Sequence, residues 1–310
     1  MTFRSLLRGL ALTGAILSST FALALERTYH RTLDVEGVNV FYREAGRPEA
    51  PKVVLLHGWG ASSFMFRNLI PMLAEKYHVI APDLPGFGLT SASARDFRYD
   101  FDNLAQVIER FLAAKKIDRY AVYVFDYGAP TGYRLALRNP EKVRAIISQN
   151  GNAYLEGLSA GWDPIRRYWN EPTAANRDAL RAFMTLETQK FQYLEGVKDK
   201  TLVEPETYLL AQAGFDAPGN MEIQLDLFRD YQSNLALYPQ FQAYFRKHQP
   251  PILAVWGKND PFFLPAGAEA YKRDNPKAEV HFYDTGHFAL ETHNDEIGKR
   301  IIEFLGRVMK

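Results

Sequence analysis

Short, largely apolar runs recur along this chain and alternate with amphipathic stretches. That alternation constrains the fold more than any other feature. Residues 53–56, 79–81, 120–125 and 143–148 are runs of this kind, each too short for a buried helix. Between them, residues 64–74, 101–114 and 129–138 carry helical spacing; in the second, Leu104, Val107, Ile108 and Phe111 share one face. The rhythm returns late in the chain, with strands expected at 252–256 and 279–283 and helices at 266–273 and 291–308. Continuous apolar strands separated by helices predict an α/β fold, a mostly parallel sheet covered on both faces. Residues 28–34 and 38–44 alternate around Glu36-Gly37 and read as a hairpin at its start.

From about 151 to 247 strand signals vanish. Helical stretches rich in aromatics and amides take over, broken at Pro164, Pro172, Pro205 and Pro218-Gly219. The chain therefore divides into a core of residues 25–150 and 248–310 and an inserted helical cap of 151–247. Residues 1–24 stand apart. Arg4 and Arg8 make a basic start, residues 9–19 carry no charge, and Ala22-Leu23-Ala24 has the small-residue pattern of a cleavage site. The apolar run is short for a membrane span, which needs about 20 residues. These features predict a cleaved export signal, a periplasmic or secreted mature chain starting near Leu25, and no stable membrane insertion. The absence of cysteine leaves no disulfide, thiolate metal site or thiol nucleophile. A formal net charge of +1 without any long basic run gives nucleic acid nothing to bind.

Four pieces of possible chemistry follow strands, in a fixed order. The first is His57-Gly58-Trp59-Gly60, a turn that can aim the Trp59 N–H at a reacting group. The second is Asp126, in Phe125-Asp126-Tyr127-Gly128, between a strand and a helix. Such a junction exposes a nucleophile, and the N–H of the next residue, Tyr127, completes an oxyanion hole with that of Trp59. Gly128 suits the crowding after such a turn. The third is Asp260, in Asn259-Asp260-Pro261, at the carboxyl end of a strand. The fourth is His287, in Gly286-His287-Phe288 after the last strand. Asp260 orienting His287 as general base follows triad logic. A carboxylate nucleophile suits displacement at a saturated carbon, leaving an alkyl ester on the protein. Gly157-Leu158-Ser159-Ala160-Gly161 spells a serine elbow but lacks the preceding strand, so Ser159 reads as a loop residue.

With these motifs, and with Asp83-Leu84-Pro85-Gly86-Phe87-Gly88, the chain resembles the α/β-hydrolase superfamily over nearly its whole mature length. Within it the chain is similar to the aspartate-nucleophile branch of soluble epoxide hydrolases and haloalkane dehalogenases. The resemblance implies hydrolysis of a small apolar substrate through an ester on Asp126, with no metal or organic cofactor. Epoxide hydrolases protonate the leaving oxygen from cap tyrosines, which implies Tyr231, Tyr168 and Tyr193 as the candidates here. Dehalogenases hold a halide on N–H groups, one from a tryptophan after the nucleophile; Tyr127 replaces it, while the Trp59 indole remains available. Epoxide opening is the first expectation, halide removal the alternative, and a non-catalytic binding protein of the same fold a third reading, against which the complete triad argues. Gly60, where epoxide hydrolases carry proline, and Phe125, where a histidine is common, depart from the epoxide hydrolase pattern.

Overall fold

A computed structural model describes residues 27–92 and 97–309. The proposed signal, 1–24, lies outside the described residues. Among those described, no helix is long and apolar enough to cross a membrane.

The strands are β1 (Tyr29–Val35), β2 (Val38–Ala45), β3 (Lys52–Leu56), β4 (His78–Pro82), β5 (Ser91–Ala92), β6 (Tyr120–Phe125), β7 (Val143–Gln149), β8 (Ile252–Gly257) and β9 (Glu279–Tyr283). They form one sheet in the order β1-β2-β4-β3-β6-β7-β8-β9, with β5 paired to the edge of β2. The hairpin β1–β2 is antiparallel and turns through Glu36 and Gly37, both at positive φ, as a tight two-residue turn demands. From β4 through β9 every neighbouring pair is parallel. Strands β4, β6 and β8 are buried at every position, which is why they read as unbroken apolar runs rather than alternating ones.

Helices α1 (Leu69–Ala74), α2 (Phe101–Ala114) and α3 (Gly128–Arg138) cover the first half of the sheet. The expected helix at 64–74 forms in two parts, because a 3₁₀ turn over Ser63–Phe66 precedes α1. Helix α2 has the expected bounds; Asp100 caps it by accepting the Asn103 N–H, and its apolar face is buried. Between β7 and β8 every regular element is helical: α4 (Asp163–Asn170), α5 (Ala174–Ala179), α6 (Leu186–Leu194), α7 (Pro205–Phe215), α8 (Asn220–Asp230) and α9 (Gln232–His248), with short 3₁₀ turns. Pro205 opens α7 at its first turn, where a missing N–H costs nothing.

After β8 the expected helix at 266–273 forms as α10 (Pro265–Glu269) and α11 (Tyr271–Asp274), meeting at Ala270. The last helix, α12 (Ala289–Val308), kinks at His293. Two apolar cores sandwich the sheet. Val54, Val122 and Ile146 face one with α2 and α3, and Val53, Ala121 and Ile147 face the other with α1 and α12.

The loops after β8 and β9 touch without side chains between them. A Cβ on Gly257 would overlap the Gly286 carbonyl, and one on Gly286 would overlap the Glu195 carbonyl of the insertion. This contact holds the Asp260 and His287 loops together. Gly257→Ala is expected to force the loops apart, at a cost of about 1–3 kcal/mol. A urea titration should show the lower midpoint with an unchanged slope; wild-type stability in that variant would mean the loops yield freely.

Candidate active site

Asp126 follows β6 and precedes α3 with φ 48°, a left-handed conformation that costs a non-glycine residue on the order of 1–3 kcal/mol. Close packing enforces it. A Cβ on Gly128 would overlap the Leu56 carbonyl, and one on Gly58 would overlap the Asp126 side chain. The tight bend turns the carboxylate towards the end of β3. There its Oδ1 accepts two backbone N–H groups, from Trp59 and Tyr127, each at 2.6 Å. The expected pair of donors therefore converges on one oxygen. Oδ2 points the other way, 3.9 Å from His287 Nε2.

His287 Nδ1 lies 2.7 Å from Asp260 Oδ2. Asp260 is buried, and its Oδ1 accepts the N–H groups of Phe262 and Phe263 at 2.7 and 3.1 Å, the turn after β8 folding back on the carboxylate. The histidine ring packs among Phe125, Phe262, Phe263 and Phe288. Burial alone lowers the pKa of His287, but the charge and hydrogen bond of Asp260, with the charge of Asp126, outweigh it and lift the pKa above the ordinary histidine value. Burial raises the pKa of Asp126, against the pull of His287 and the two N–H donors. The nucleophile position, base position and acid position thus form one connected line of groups.

Two supporting residues escaped the sequence. Asn150 ends β7 at φ 43°. Its amide donates to Asp260 Oδ2 at 2.6 Å, and its Oδ1 accepts the Gly257 N–H at 3.0 Å, locking the acid loop to the neighbouring strand. The only local signal is an asparagine at a strand end, a residue that tolerates left-handed backbone. Gln192, on α6, donates to the Trp59 carbonyl at 3.1 Å and fixes the loop that supplies an N–H. His57 serves that loop too: Nε2 accepts the Leu84 N–H at 2.9 Å, leaving Nδ1 to donate to the Gly58 carbonyl.

A cavity opens onto Asp126 and His287, walled by Trp59, Tyr127 and Phe262 and by Trp162, Ile165, Phe183, Gln192 and Phe228 of the insertion. Its wall is almost wholly apolar. Two buried donors on residues of that wall have no partner, the Trp59 indole N–H and the Tyr127 hydroxyl. The three cap tyrosines fare differently. Tyr231, at the α8–α9 junction, packs its ring 5.5 Å from that of Tyr127, and burial with the neighbouring Tyr238 raises its pKa. None of the three is among the residues that wall the cavity; Tyr231 stands behind Tyr127 and Trp162, and the other two lie elsewhere. The hydroxyl of Tyr168 accepts from Arg177 at 3.2 Å. That of Tyr193 donates to the Gly60 carbonyl at 2.9 Å, while its ring stacks on Phe288. Ser159 caps a 3₁₀ turn by accepting the Gly161 N–H and donates to the Pro261 carbonyl, so it is a loop residue as expected.

Comparison with known proteins agrees with this architecture. Residues 51–294 match the family model for the alpha/beta hydrolase fold. An uncharacterized hydrolase of Saccharomyces cerevisiae is 45% identical over 88% of this chain and 96% of its own length. A haloalkane dehalogenase from Bradyrhizobium elkani superposes with a TM-score of 0.75 at 22% identity, covering 91% of this chain and 99% of that one. The epoxide hydrolase CorEH does so with 0.74 at 20%, covering 91% and 99%. At such identities these two structures speak to the fold. The chain belongs to the α/β-hydrolase family and is a hydrolase.

Proposed function

We propose that this hydrolase opens an apolar epoxide to a diol through an alkyl ester on Asp126. One observation carries the reading: the residue at the strained junction is a carboxylate, with one oxygen on two N–H donors and the other facing His287 across 3.9 Å. Oδ2 attacks a ring carbon, the C–O bond breaks, and the released oxygen takes a proton from Tyr231. Water then gives a proton to His287 and attacks Cγ of Asp126. The tetrahedral oxyanion forms on Oδ1, already held by Trp59 and Tyr127, so stabilisation needs no reorganisation. Collapse breaks the ester, the departing diol oxygen takes the proton from His287, and the carboxylic acid left behind restores the phenol. Burial, Tyr238 and the charge of Asp126 all raise the pKa of Tyr231, so it enters the reaction protonated, and esterification of Asp126 removes the one charge that opposes release of its proton.

Halide removal is the second reading, favoured by the unpartnered Trp59 indole N–H on the cavity wall. Halide release from a bromoalkane panel, lost in Trp59→Phe, would establish it over epoxide opening.

His287→Ala mixed with a reactive epoxide should gain one substrate mass on the peptide containing Asp126, and Asp126→Asn should gain none. An adduct elsewhere, or full turnover by Asp126→Asn, sinks the ester mechanism. Tyr231→Phe should slow ester formation about 10²-fold or more without slowing ester hydrolysis. If Tyr127→Phe does this instead, the donor is the neighbour of the nucleophile.

The pH dependence has a defined sign. Ester hydrolysis needs neutral His287, whose pKa is raised. Turnover should therefore rise with pH and level off only above the ordinary histidine range, about 6.5. Below that point the ester should accumulate, as read by acid quench and intact mass. A flat profile between about pH 5 and 8 would remove His287 as the base.

A further inference from the structure

A second, larger cavity adjoins the first. Counting its open mouth, it encloses about 1530 Å³ of empty space, against about 400 Å³ beside Asp126. One wall is α7, with Leu210, Ala211 and Phe215; the facing wall includes Phe64, Phe87 and Leu89. The two cavities share a partition. The Phe215 ring, on the outer side, packs 4.8 Å from that of Trp59, on the inner side.

We propose that this outer cavity is a second substrate subsite, which takes an elongated, uncharged alkyl or aryl arm, and that Phe215 is the specificity-determining partition between it and Asp126. The proposal deepens the epoxide reading and rests on it only for the reacting end of the ligand.

The chemistry of the walls selects an apolar arm. The charged side chains and Thr90 on these walls are already committed. Both oxygens of Asp83 accept backbone N–H groups, from Ser63 and Leu89. Glu291 is paired with Arg67 at 2.7 Å. Thr90 accepts the Phe41 N–H and donates to the Asp83 carbonyl. Arg43 donates to Ser63, its guanidinium set over the rings of Phe41 and Phe64. Most of what remains for a ligand is hydrocarbon, and Leu89 and Leu210, 67% and 51% exposed, hold apolar surface in water on opposite walls.

The two sides of the partition are held by different elements. Gln192 and Tyr193 hold the carbonyls of Trp59 and Gly60, so the Trp59 backbone is fastened. Phe215 sits at the end of α7 beside Gly214, where a Cβ would meet nothing within 4 Å. Neither space nor backbone conformation requires glycine there, and glycine loosens a helix by roughly 1 kcal/mol relative to alanine. The Gly214 carbonyl accepts from Asn220 at 2.7 Å, so the backbone here is held too and an opening in the partition comes from rotation of the Phe215 side chain.

The test uses binding of unreactive 1-alkanols, butanol to decanol, to the wild-type chain and two variants, followed by calorimetry, with circular dichroism confirming each fold. A CH₂ group buried in hydrocarbon is worth about 0.8 kcal/mol, close to a fourfold gain in affinity. In the wild type, affinity should keep rising by about threefold to fourfold per methylene to the long end of the series. Ala211→Phe should stop the rise at shorter chains while leaving butanol unchanged. Phe215→Ala should tighten the longest alkanols by fivefold or more. Affinity that plateaus in the wild type at the short end, or the same profile in all three proteins, overturns the proposal. Turnover of 1,2-epoxyalkanes of matching length is measured in parallel. Alkanol binding with the expected profile but no epoxide turnover defeats the epoxide reading and leaves the subsite standing; turnover that ignores chain length and both variants does the reverse.

Discussion

The organisation of the site depends on one buried carboxylate held in a conformation it would not choose. Asp126 adopts a left-handed backbone because Gly58 and Gly128 let the chain pass where any side chain would collide. That strain places Oδ1 on two backbone N–H groups and leaves Oδ2 free to face the histidine. A buried carboxylate without such donors would be driven towards its neutral form. Here the donors and His287 oppose the desolvation, so the same contacts that tolerate the charge are those the proposed reaction needs.

Around this point the protein divides labour between rigid sheet loops and a helical insertion. Strands β3, β6, β8 and β9 deliver Trp59, Asp126, Asp260 and His287 from one edge, as parallel sheets commonly do with their ligand sites. The insertion contributes no group to the triad-like line. It contributes the apolar face of the cavity, through Trp162, Ile165, Phe183 and Phe228, and the fastening of the Trp59 loop through Gln192. Water exclusion and positioning thus come from one part of the chain and charge from the other.

Much of this was legible in the sequence, and the parts that were not have physical causes. The strand–Asp126–helix junction could be read because a fully buried strand leaves an unbroken apolar run and the helix behind it begins with small residues. The order of Asp260 and His287 could be read because each follows such a strand. Asn150 could not, since its role exists only once β7 and β8 lie side by side. The two-residue strand β5 is too short to leave any periodic trace. The surroundings of Tyr231, Tyr168 and Tyr193 could not be read, because a tyrosine's surroundings depend on the rotation of its helix. The insertion turns the hydroxyls of Tyr168 and Tyr193 to Arg177 and to a carbonyl.

The side-chain-free contact between Gly257 and Gly286 sets what can change in this protein over time. The histidine loop is wedged between the acid loop and the Glu195 carbonyl of the insertion, with no atoms to spare on either side. Exchanging Phe183, Ile165 or Phe228, which line the cavity with Asp126, therefore reshapes that cavity without touching the seam. The seam behind His287 cannot be thickened without moving that ring. The shape of the cavity and the position of His287 thus rest on different residues of the chain.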